Sequence, residues 1–411
     1  MGIDIGKEKH AARAFNFRGI EFDKVIYFEN SEYGFKSLQE WVLNIAAIHC
    51  KEEVIIGLEP TGHYWLPLHI YLEGNGFKVV TANPHHVKKS KELDDNNPTK
   101  CDKKDAKVIA KLVTEGRYCE PNIPNGVYAE IRVAYNHRER IIKNLNRTEN
   151  SIIRWLDIYF PEFQKVYSDW SAKTAILVLK NIPFPGEIVE KEAQEIVDIW
   201  RNNGINRGVG LKKAQGLINA ARKSIGITSG KEMAKIQLEN LLNQYDLFTE
   251  QLNKIEEKIE EILAEIPGAK EMTSIHGVGE MTVAGFLAES GDPDNYQHPK
   301  QIIKLAGLNL QEHSSGKHKG QTRITKRGRS RLRALLYRVT LPLVRHNDEF
   351  NLLHKYYTTR SQNPLTKKQS LIAISCKLIR VLFALGTKQV EYDGEKMLND
   401  IKRPKDYQQA A

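Results

Sequence analysis

Short β-rich runs alternate with helical stretches over residues 1–120. Five runs favour strands because they concentrate β-branched and other apolar residues between turn formers: GIDIG, KHAARAFNF, EFDKVIYFE, EEVIIGLE and FKVVTAN. The first three lie close enough together for an antiparallel meander, with a turn at Arg18–Gly19, whereas helices over 32–49 and 62–75 separate the later ones. A mixed sheet of three hairpin strands followed by helix-linked strands is the layout of a ribonuclease-H-like fold.

Two long helical patterns follow. Apolar residues at spacings of mostly three and four predict a helix over 127–160, and a cleaner seam predicts a second over 238–266. That seam is a sustained heptad pattern typical of coiled coils: Leu238, Leu241, Tyr245, Phe248, Leu252, Ile255, Ile259, Ile262 and Ile266. The two helices could pair within one chain or between chains. Residues 165–235 between them are predicted to be helical, with no assigned role.

The last folded part begins near SIHGVGEMTVAGFLAES, residues 274–290. Its Gly-Val-Gly lies between two apolar helical segments, which is the form of a helix-hairpin-helix whose turn amides can face a phosphate. A plain glycine turn between packed helices is the alternative. The predicted fold class is α/β plus all-α, in four parts: 1–120, 121–267, 268–388 and a polar tail over 389–411.

Composition narrows the class of protein. With 411 residues, 41% hydrophobic and 27% charged, the chain has enough apolar material for real cores. Lysine and arginine outnumber aspartate and glutamate by 61 to 51, which favours a polyanionic partner such as nucleic acid. Four cysteines without metal-ligand or paired spacing fit a reducing cytoplasm. No apolar run approaches the roughly 18–20 residues of a membrane helix, so no membrane partner is expected.

Two candidate carboxylates lie on predicted strands. Period-two geometry puts Asp4 on the same face as Gly2 and Gly6, and Glu59 on the same face as Gly57. Each acid therefore has little bulk beside it, and Glu59 ends its strand, where α/β sheets usually place their sites. The alternatives are a solvated strand edge for Asp4 and a helix-start signal for Glu59.

Two further carboxylates, Asp102 and Asp105, open the predicted helix KCDKKDAKVIAKLV three residues apart, and so project on the same side. Acids at a helix N-terminus that merely favour the helix dipole are the alternative. Taken together, one acid from each of two strands and two from a helix could hold a pair of Mg²⁺ ions, as two-metal phosphoryl chemistry requires.

A basic run occupies residues 317–338, with nine lysines and arginines and no acid. Solvated helix faces usually interleave both signs, so a run of one sign favours phosphate contacts. The candidates for these contacts are Lys317, Lys319, Arg323, Lys326, Arg327, Arg329, Arg331 and Arg333.

Two serines, Ser314 and Ser315, stand immediately before this run, in HSSGKHKGQTR. Serines in a glycine loop most often bond their own backbone as turn formers. A serine can instead attack a phosphodiester that cations hold in place. No sequence elbow or ordered triad supports an ordinary serine hydrolase.

Six motifs in this order resemble the DEDD-type transposases of the insertion sequence one-hundred-and-ten family, the bridge-RNA-guided recombinases. They are GIDIGKEKH, GLEPTGHYW, KCDKKDAKVIA, SIHGVGEMTVAGFLAE, LAGLNLQEHSSGKHKG and TKRGRSRLRALLY, and they span both ends of the chain. Six spaced motifs are far more specific than any one of them.

The resemblance implies roles for individual residues. The family's four acids fall on Asp4, Glu59, Asp102 and Asp105, which would bind Mg²⁺ in a RuvC-like domain, and its nucleophilic serine falls on Ser315. The serine would form a covalent link to DNA. Because acids and serine lie in different domains, a site shared between protomers of a dimer or tetramer is implied. The implied partners are donor DNA, target DNA and a structured non-coding bridge RNA, in a prokaryotic, nucleoid-associated setting.

Three other readings compete. A RuvC-like junction nuclease would use the four acids and water alone and leave the serines idle. A sugar-kinase or actin-like ATPase would need a second aspartate-glycine phosphate loop, and EYDGE at 391–395, the one candidate, lies in the predicted polar tail. A non-enzymatic scaffold would use the basic run only to bind RNA.

Overall fold

The chain divides into two compact units, Met1–Ile123 and Pro124–Ala411. They are seen in a computed structural model that describes residues 1–60, 62–95, 102–311, 314–315, 318–319 and 322–399. Side chains are described for these residues except at 92–95, 102, 314–315 and 318–319.

The first unit is a five-stranded mixed sheet with helices on both faces. The strand order is β3-β2-β1-β4-β5, with antiparallel pairing among the first three strands and parallel pairing of β4 with β1 and β5. This confirms the predicted ribonuclease-H-like layout. Its elements are β1 (Gly2–Asp4), β2 (Lys9–Arg13), β3 (Ile26–Glu29), α1 (Glu32–Ile48), β4 (Ile55–Leu58), α2 (Trp65–Gly74), β5 (Lys78–Thr81), α3 (Pro84–Asp95) and α4 (Asp102–Thr114).

The two faces of this sheet carry different side chains. Ile3, Ile56 and Leu58 are fully buried in one core with the apolar residues of α1 and α2. The opposite face presents Gly2 and Gly57, and α4 packs there. Alternation along β1 and β4 therefore separates a bulky core face from a bare face.

The second unit is mainly helical. Its elements are α5 (Gly126–Tyr159), α6 (Phe163–Val166), α7 (Lys173–Asn181), α8 (Pro185–Val189), α9 (Ala193–Asn202), α10 (Leu211–Arg222), α11 (Lys231–Glu265), α12 (Ala269–Thr273), α13 (Glu280–Ser290), α14 (Pro299–Leu305), β6 (Leu310–Gln311), β7 (Ser314–Ser315), β8 (His318–Lys319), β9 (Arg323–Ile324), α15 (Ser330–His346), α16 (Asp348–Thr359), α17 (Lys367–Lys388) and α18 (Gly394–Asn399).

Helices α5 and α11 pack against each other within the chain. The Trp155 indole donates to the Ala234 carbonyl at 2.9 Å near one end, and Arg138 pairs with Glu256 at 2.6 Å nearer the other. These contacts make the two helices antiparallel. The predicted seam is buried at its ends, but its middle is only partly buried, and Leu242 rather than Leu241 is the more deeply buried residue of that turn.

Each end of this helix pair enters a separate core. Trp155, Phe160 and Phe163 pack with Trp200 in a core that also includes the helices between α5 and α11. Ile131 and residues of the other end of α11 join the core of the C-terminal helices. The predicted helical insertion is thus a small folded core built on one end of the pair.

The predicted helix-hairpin-helix is present as α12, a tight turn and α13. Val278 donates its amide to the Ile275 carbonyl at 2.9 Å, and Gly277 has a φ of 93°, a conformation that favours glycine. Val278 itself is 4% exposed and anchors the turn in the core. A buried apolar residue between two glycines explains the sequence of the turn.

Helix α17 is long and apolar enough to cross a membrane by length and composition. Ile374, Leu378 and Leu382 are nevertheless fully buried in the C-terminal core. The core helix of a soluble protein passes the same test of length and hydropathy, and the burial of these residues identifies α17 as a helix of the C-terminal core.

The segment predicted as a polar tail contains a helix. Met397 of α18 is 4% exposed and packs into the C-terminal core, and the Tyr392 amide donates to the Ser274 hydroxyl at 2.9 Å. Tyr392 and Leu398 also pack against this core, but most residues around them are polar, which is why composition alone indicated a tail.

Gly2→Ala tests the bare face of the sheet. An added β-carbon would overlap the Ala106 carbonyl oxygen and the Ala110 amide nitrogen, both backbone atoms that cannot rotate away. We expect the free energy of unfolding to fall by about 1–3 kcal/mol, the usual cost of overpacking. Urea unfolding followed by circular dichroism measures it. Gly74→Ala is the matched control, because no atom lies within 4 Å of its β-carbon position; equal stability of the two variants would contradict the packing.

Candidate functional site

Asp4 and Glu59 lie at the ends of neighbouring parallel strands. The register pairs Gly2 with Gly57 and Ile3 with Leu58, so the next positions along the two strands are those of the two acids. Both acids are partly buried, and both have interactions within the structure. Alternation places them on the same face of the sheet as the two glycines, as the sequence predicted.

Helix α4 lies directly against that face. The position of a β-carbon on Gly2 meets the backbone of Ala106 and Ala110, and that on Gly57 meets the side chains of Ile109 and Val113. A helix can approach a sheet this closely only where the strands carry no side chains. The two glycines thus position the helix that begins with Asp102 and carries Asp105.

Asp105 is buried beside a lysine. The carboxylate is in a residue only 3% exposed, and its Oδ2 lies 2.5 Å from the Nζ of Lys91 on α3. Its Oδ1 is buried without a hydrogen-bond partner among the described residues. A buried carboxylate is costly unless cations or donors compensate it. Lys91 supplies part of that compensation, and sequence reasoning missed it.

Arg13 links the β-hairpin to the start of α4. Its guanidinium makes two 2.6 Å bonds to the Glu21 carboxylate and donates at 3.1 Å to the Lys103 carbonyl. The hydrogen bonds to Glu21, opposed by partial desolvation, raise the pKa of Arg13. Arg13 is a positioning residue for the first turn of α4, the turn that contains both helix acids.

The four predicted carboxylates meet part of what a divalent cation requires. The buried, unpartnered Oδ1 of Asp105 is a hard oxygen ligand of the kind Mg²⁺ requires. Among the side chains that the structure describes, no three acids, histidines or cysteines lie close enough to form a metal cluster. The side chain of Asp102, the fourth predicted ligand, lies outside the described residues.

The serine pair lies in a short hairpin of the second unit. Ser314 pairs with Lys319 and Ser315 with His318 in the antiparallel register of β7 and β8. Side chains here are outside the described part, as is the whole of Lys317. The backbone places Ser315 on a hairpin that precedes, in the chain, the loop of residues 325–329 between β9 and α15, which we call the basic loop.

That basic loop is fastened to the end of α14. The amide of Arg329 donates to the Leu305 carbonyl at 2.7 Å, and the amide of Lys326 donates to the Gly307 carbonyl at 3.0 Å. Gly328 has a φ of 151° and sits where a side chain would overlap the Leu305 carbonyl. The loop therefore has a defined backbone although nearly every residue in it is polar.

The predicted phosphate-binding residues divide into two groups. Arg329 donates to the Glu289 carbonyl, and Arg333 donates to the Ala306 carbonyl at 2.9 Å, so both satisfy carbonyls at helix ends. Arg331 donates to the Asn136 side chain. Arg323 also has a partner.

Lys326 and Arg327 are exposed, and neither side chain has an ion pair or hydrogen bond among the described residues. These two are the loop cations most available to a polyanion.

A ribonuclease-H-like unit with acids at its strand ends, joined to a helical unit with a fixed basic loop, defines a class of proteins that process nucleic acids. Two family models agree with that class: a DEDD transposase model of IS110 type matches residues 1–161, and the model for transposases of the IS116/IS110/IS902 family matches residues 269–357. The chain belongs to this transposase family, whose members cut and rejoin DNA.

Relatives match along most of the chain. An uncharacterized protein of insertion element IS116 from Streptomyces clavuligerus is 24% identical over 94% of this chain and 94% of its own length. The transposase for insertion sequence element IS1111A from Coxiella burnetii is 22% identical over 95% of this chain and 90% of its own length. A pilin gene-inverting protein from Moraxella bovis is 24% identical, with 89% of each chain covered.

Lys91→Met tests the compensation of Asp105. Removal of the ammonium leaves a buried carboxylate without its cation, and we expect a loss of about 1–3 kcal/mol in the free energy of unfolding. Adding Asp105→Asn to this variant removes the uncompensated charge and should restore part of the loss. Urea unfolding with a chelator present measures both.

Lys36→Met is the control, since Lys36 forms an exposed pair with Glu32 at 2.7 Å, and such pairs contribute little. Additive effects of Lys91→Met and Asp105→Asn would show that the two side chains do not interact.

Proposed function

We propose that this transposase attacks DNA with the hydroxyl of Ser315 and that Mg²⁺ assists the step. The metal would be held by four carboxylates, those of Asp4, Glu59, Asp102 and Asp105. The observation that supports the acids most directly is the close packing of α4 on the bare face of β1 and β4, which brings an acidic helix start to a sheet with acids at its strand ends.

The serine proposal is supported by the place of Ser315 in the chain. The residue lies on the β7–β8 hairpin, and the chain then enters a loop that exposes Lys326 and Arg327 on a fixed backbone. Cations on a fixed loop can bind the phosphates that flank a reacting one without losing conformational freedom of the backbone. Ser315 also matches the serine before glycine in the family motif.

The chemical step is a transesterification. The Ser315 oxygen attacks phosphorus and gives up its proton to a base, the bond from phosphorus to one sugar oxygen breaks, and that oxygen is protonated to a free hydroxyl. The phosphodiester is kept as a serine ester, so a hydroxyl of another strand can attack it, rejoin DNA and release the serine. Mg²⁺, when bound, would neutralise charge that develops on the phosphate oxygens.

A structured RNA guide belongs to the same proposal. The family motifs and the net charge of +10 support a polyanionic guide that pairs with donor and target DNA.

A homo-oligomer, dimer or tetramer, would supply more than one active site for the two duplexes. The partly buried middle of the α11 seam, with Phe248, Leu252 and Ile255, supports association between copies. The place of action would be the bacterial nucleoid.

Ser315→Ala tests the nucleophile. Incubation of the protein with end-labelled element DNA, the element's flanking RNA and Mg²⁺ should give a protein–DNA adduct on a denaturing gel. We expect Ser315→Ala to abolish the adduct and strand joining together, because no other group then forms the ester. Ser314→Ala is the matched control and should retain the adduct.

Asp105→Asn, or omission of the metal, should reduce cleavage and adduct formation by at least about a hundredfold, the usual effect of losing charge stabilisation of a transition state. Cleavage without any adduct would favour hydrolysis by the four acids and water, as in a junction nuclease. RNA binding without cleavage by the wild type would favour a scaffold.

Guide dependence has its own test. Changing the candidate pairing segment of the RNA, with protein and salt unchanged, should move cutting to DNA that carries the complementary sequence. Sequencing of the joined products locates the cut sites. Cutting that stays at the original site, or proceeds equally without RNA, would contradict guidance.

A further inference from the structure

The outward face of α5 carries a row of cations that the proposed chemistry does not use. The row comprises Arg140, Lys143, Arg147 and Arg154, all exposed, and three asparagines and a serine complete the surface between them. None of the residues that line this shallow groove is apolar, aromatic or acidic. We call it the α5 basic face.

This face points away from α11. The buried residues of the same stretch, Ile141, Thr148, Ile152 and Trp155, lie on the opposite side of the helix at a rotation of about 100° per residue. Packing with α11 thus fixes the direction of the basic face and leaves it open on the surface of the second unit.

Among the described residues, the four cations of the face have no ion-pair or side-chain hydrogen-bond partner. None of the four forms an ion pair with a described residue, whereas Arg138, two residues before Arg140, pairs with Glu256 on α11. Between residues 140 and 156 the only acid is Glu149. Helix α11 differs, because two of its lysines pair with its own glutamates: Lys254 with Glu250 and Lys258 with Glu261, each at 2.6 Å. Neighbouring cations that no acid neutralises repel one another, so the face is electrostatically unfavourable unless an anion binds it.

The chemistry of the face favours duplex nucleic acid over a protein. A protein interface needs an apolar centre, and the α5 basic face has none. Binding of unpaired bases relies on stacking with aromatic side chains, which are also missing from its lining. Arg140 and Arg154 are separated by roughly 21 Å along the axis at 1.5 Å per residue, a length that spans several phosphates of one strand.

We propose that the α5 basic face binds the phosphate backbone of double-stranded DNA, without reading sequence, as a second DNA contact apart from the serine hairpin and the acids. DNA is chosen over duplex RNA because cutting and rejoining DNA is the activity of the family. The contact would hold the duplex along α5 while its reacting phosphates are handled elsewhere.

The test compares two triple variants of the full chain. R140Q/K143Q/R147Q removes three cations from the face, and K235Q/K254Q/K258Q removes three from α11, so both lose the same net charge. Fluorescence anisotropy with a labelled 30-base-pair DNA of arbitrary sequence, without RNA or metal, gives the dissociation constant from 50 to 200 mM salt. Circular dichroism checks that both variants are folded.

The α5 variant should bind more weakly and depend less on salt. At a slope of about 0.9 per phosphate contact in B-DNA, wild type should lose roughly 40-fold more affinity than this variant between 50 and 200 mM salt. The α11 variant should behave as wild type. Binding to single-stranded DNA should change by less than twofold in the α5 variant.

Three results would overturn the proposal. The first is equal affinity and slope for the two variants, and the second is a wild type that does not bind duplex DNA. The third is a loss confined to duplex RNA of the same length, which would assign the face to RNA. Because no step of the assay cuts DNA, failure of the serine mechanism would leave these results unaffected.

Discussion

Close contact between helix α4 and the backbone of strands β1 and β4 determines how side chains are distributed over the two faces of the sheet in the first unit. Gly2 and Gly57 leave no side chains on one face of the sheet, so α4 rests on the strands themselves. The large apolar side chains of these strands, Ile3, Ile56 and Leu58, therefore all lie on the opposite face and are buried there. The same contact buries the first turn of α4, so the carboxylate of Asp105 is removed from water. A buried carboxylate is unfavourable unless a cation lies beside it. Lys91 of α3 provides this cation, so stabilisation of the buried Asp105 depends on the position of α3.

The second unit depends on a different constraint, the anchoring of one helix pair at both ends. Trp155 and its neighbours fasten α5 and α11 to the small inserted core, and Ile131 and Ile259 fasten them to the C-terminal core. A helix held at both ends does not rotate about its axis, so its outward face keeps one direction. The backbone positions from which the charges of that face project are therefore fixed, so a rigid polyanion would bind there at a smaller entropic cost than on a mobile segment.

Local patterns in the sequence were enough to predict the five strands of the first unit, the two long helices and the bare glycine face, because period two and period 3.6 depend only on neighbouring residues. The short strands β6 to β9 of the second unit were not predicted. Partners distant in sequence were not predictable. Nothing in PHHVKKSKELDD distinguishes Lys91 from Lys88 or Lys89. Met397 and Leu398 stand in a mostly polar stretch, and the burial of Met397 depends on a core formed by residues elsewhere in the chain. For the site, adjacency of Asp4 and Glu59 followed from parallel strands, whereas the side chains of Asp102 and Ser315 lie outside the described residues.

Charge shows most clearly what a sequence leaves undecided. The basic run at 317–338 and the scattered cations of α5 differ in density, and density indicated the first as the nucleic-acid surface. Yet Arg329 and Arg333 of the dense run satisfy carbonyls at helix ends, while Arg140 and Arg147 of the sparse row have no described partner. A guanidinium that already donates to a buried carbonyl must give up that bond before it can bind a phosphate fully. We therefore expect availability rather than density to decide which cations contact DNA, and in this transposase the available ones include a helix face far along the chain from the proposed nucleophile.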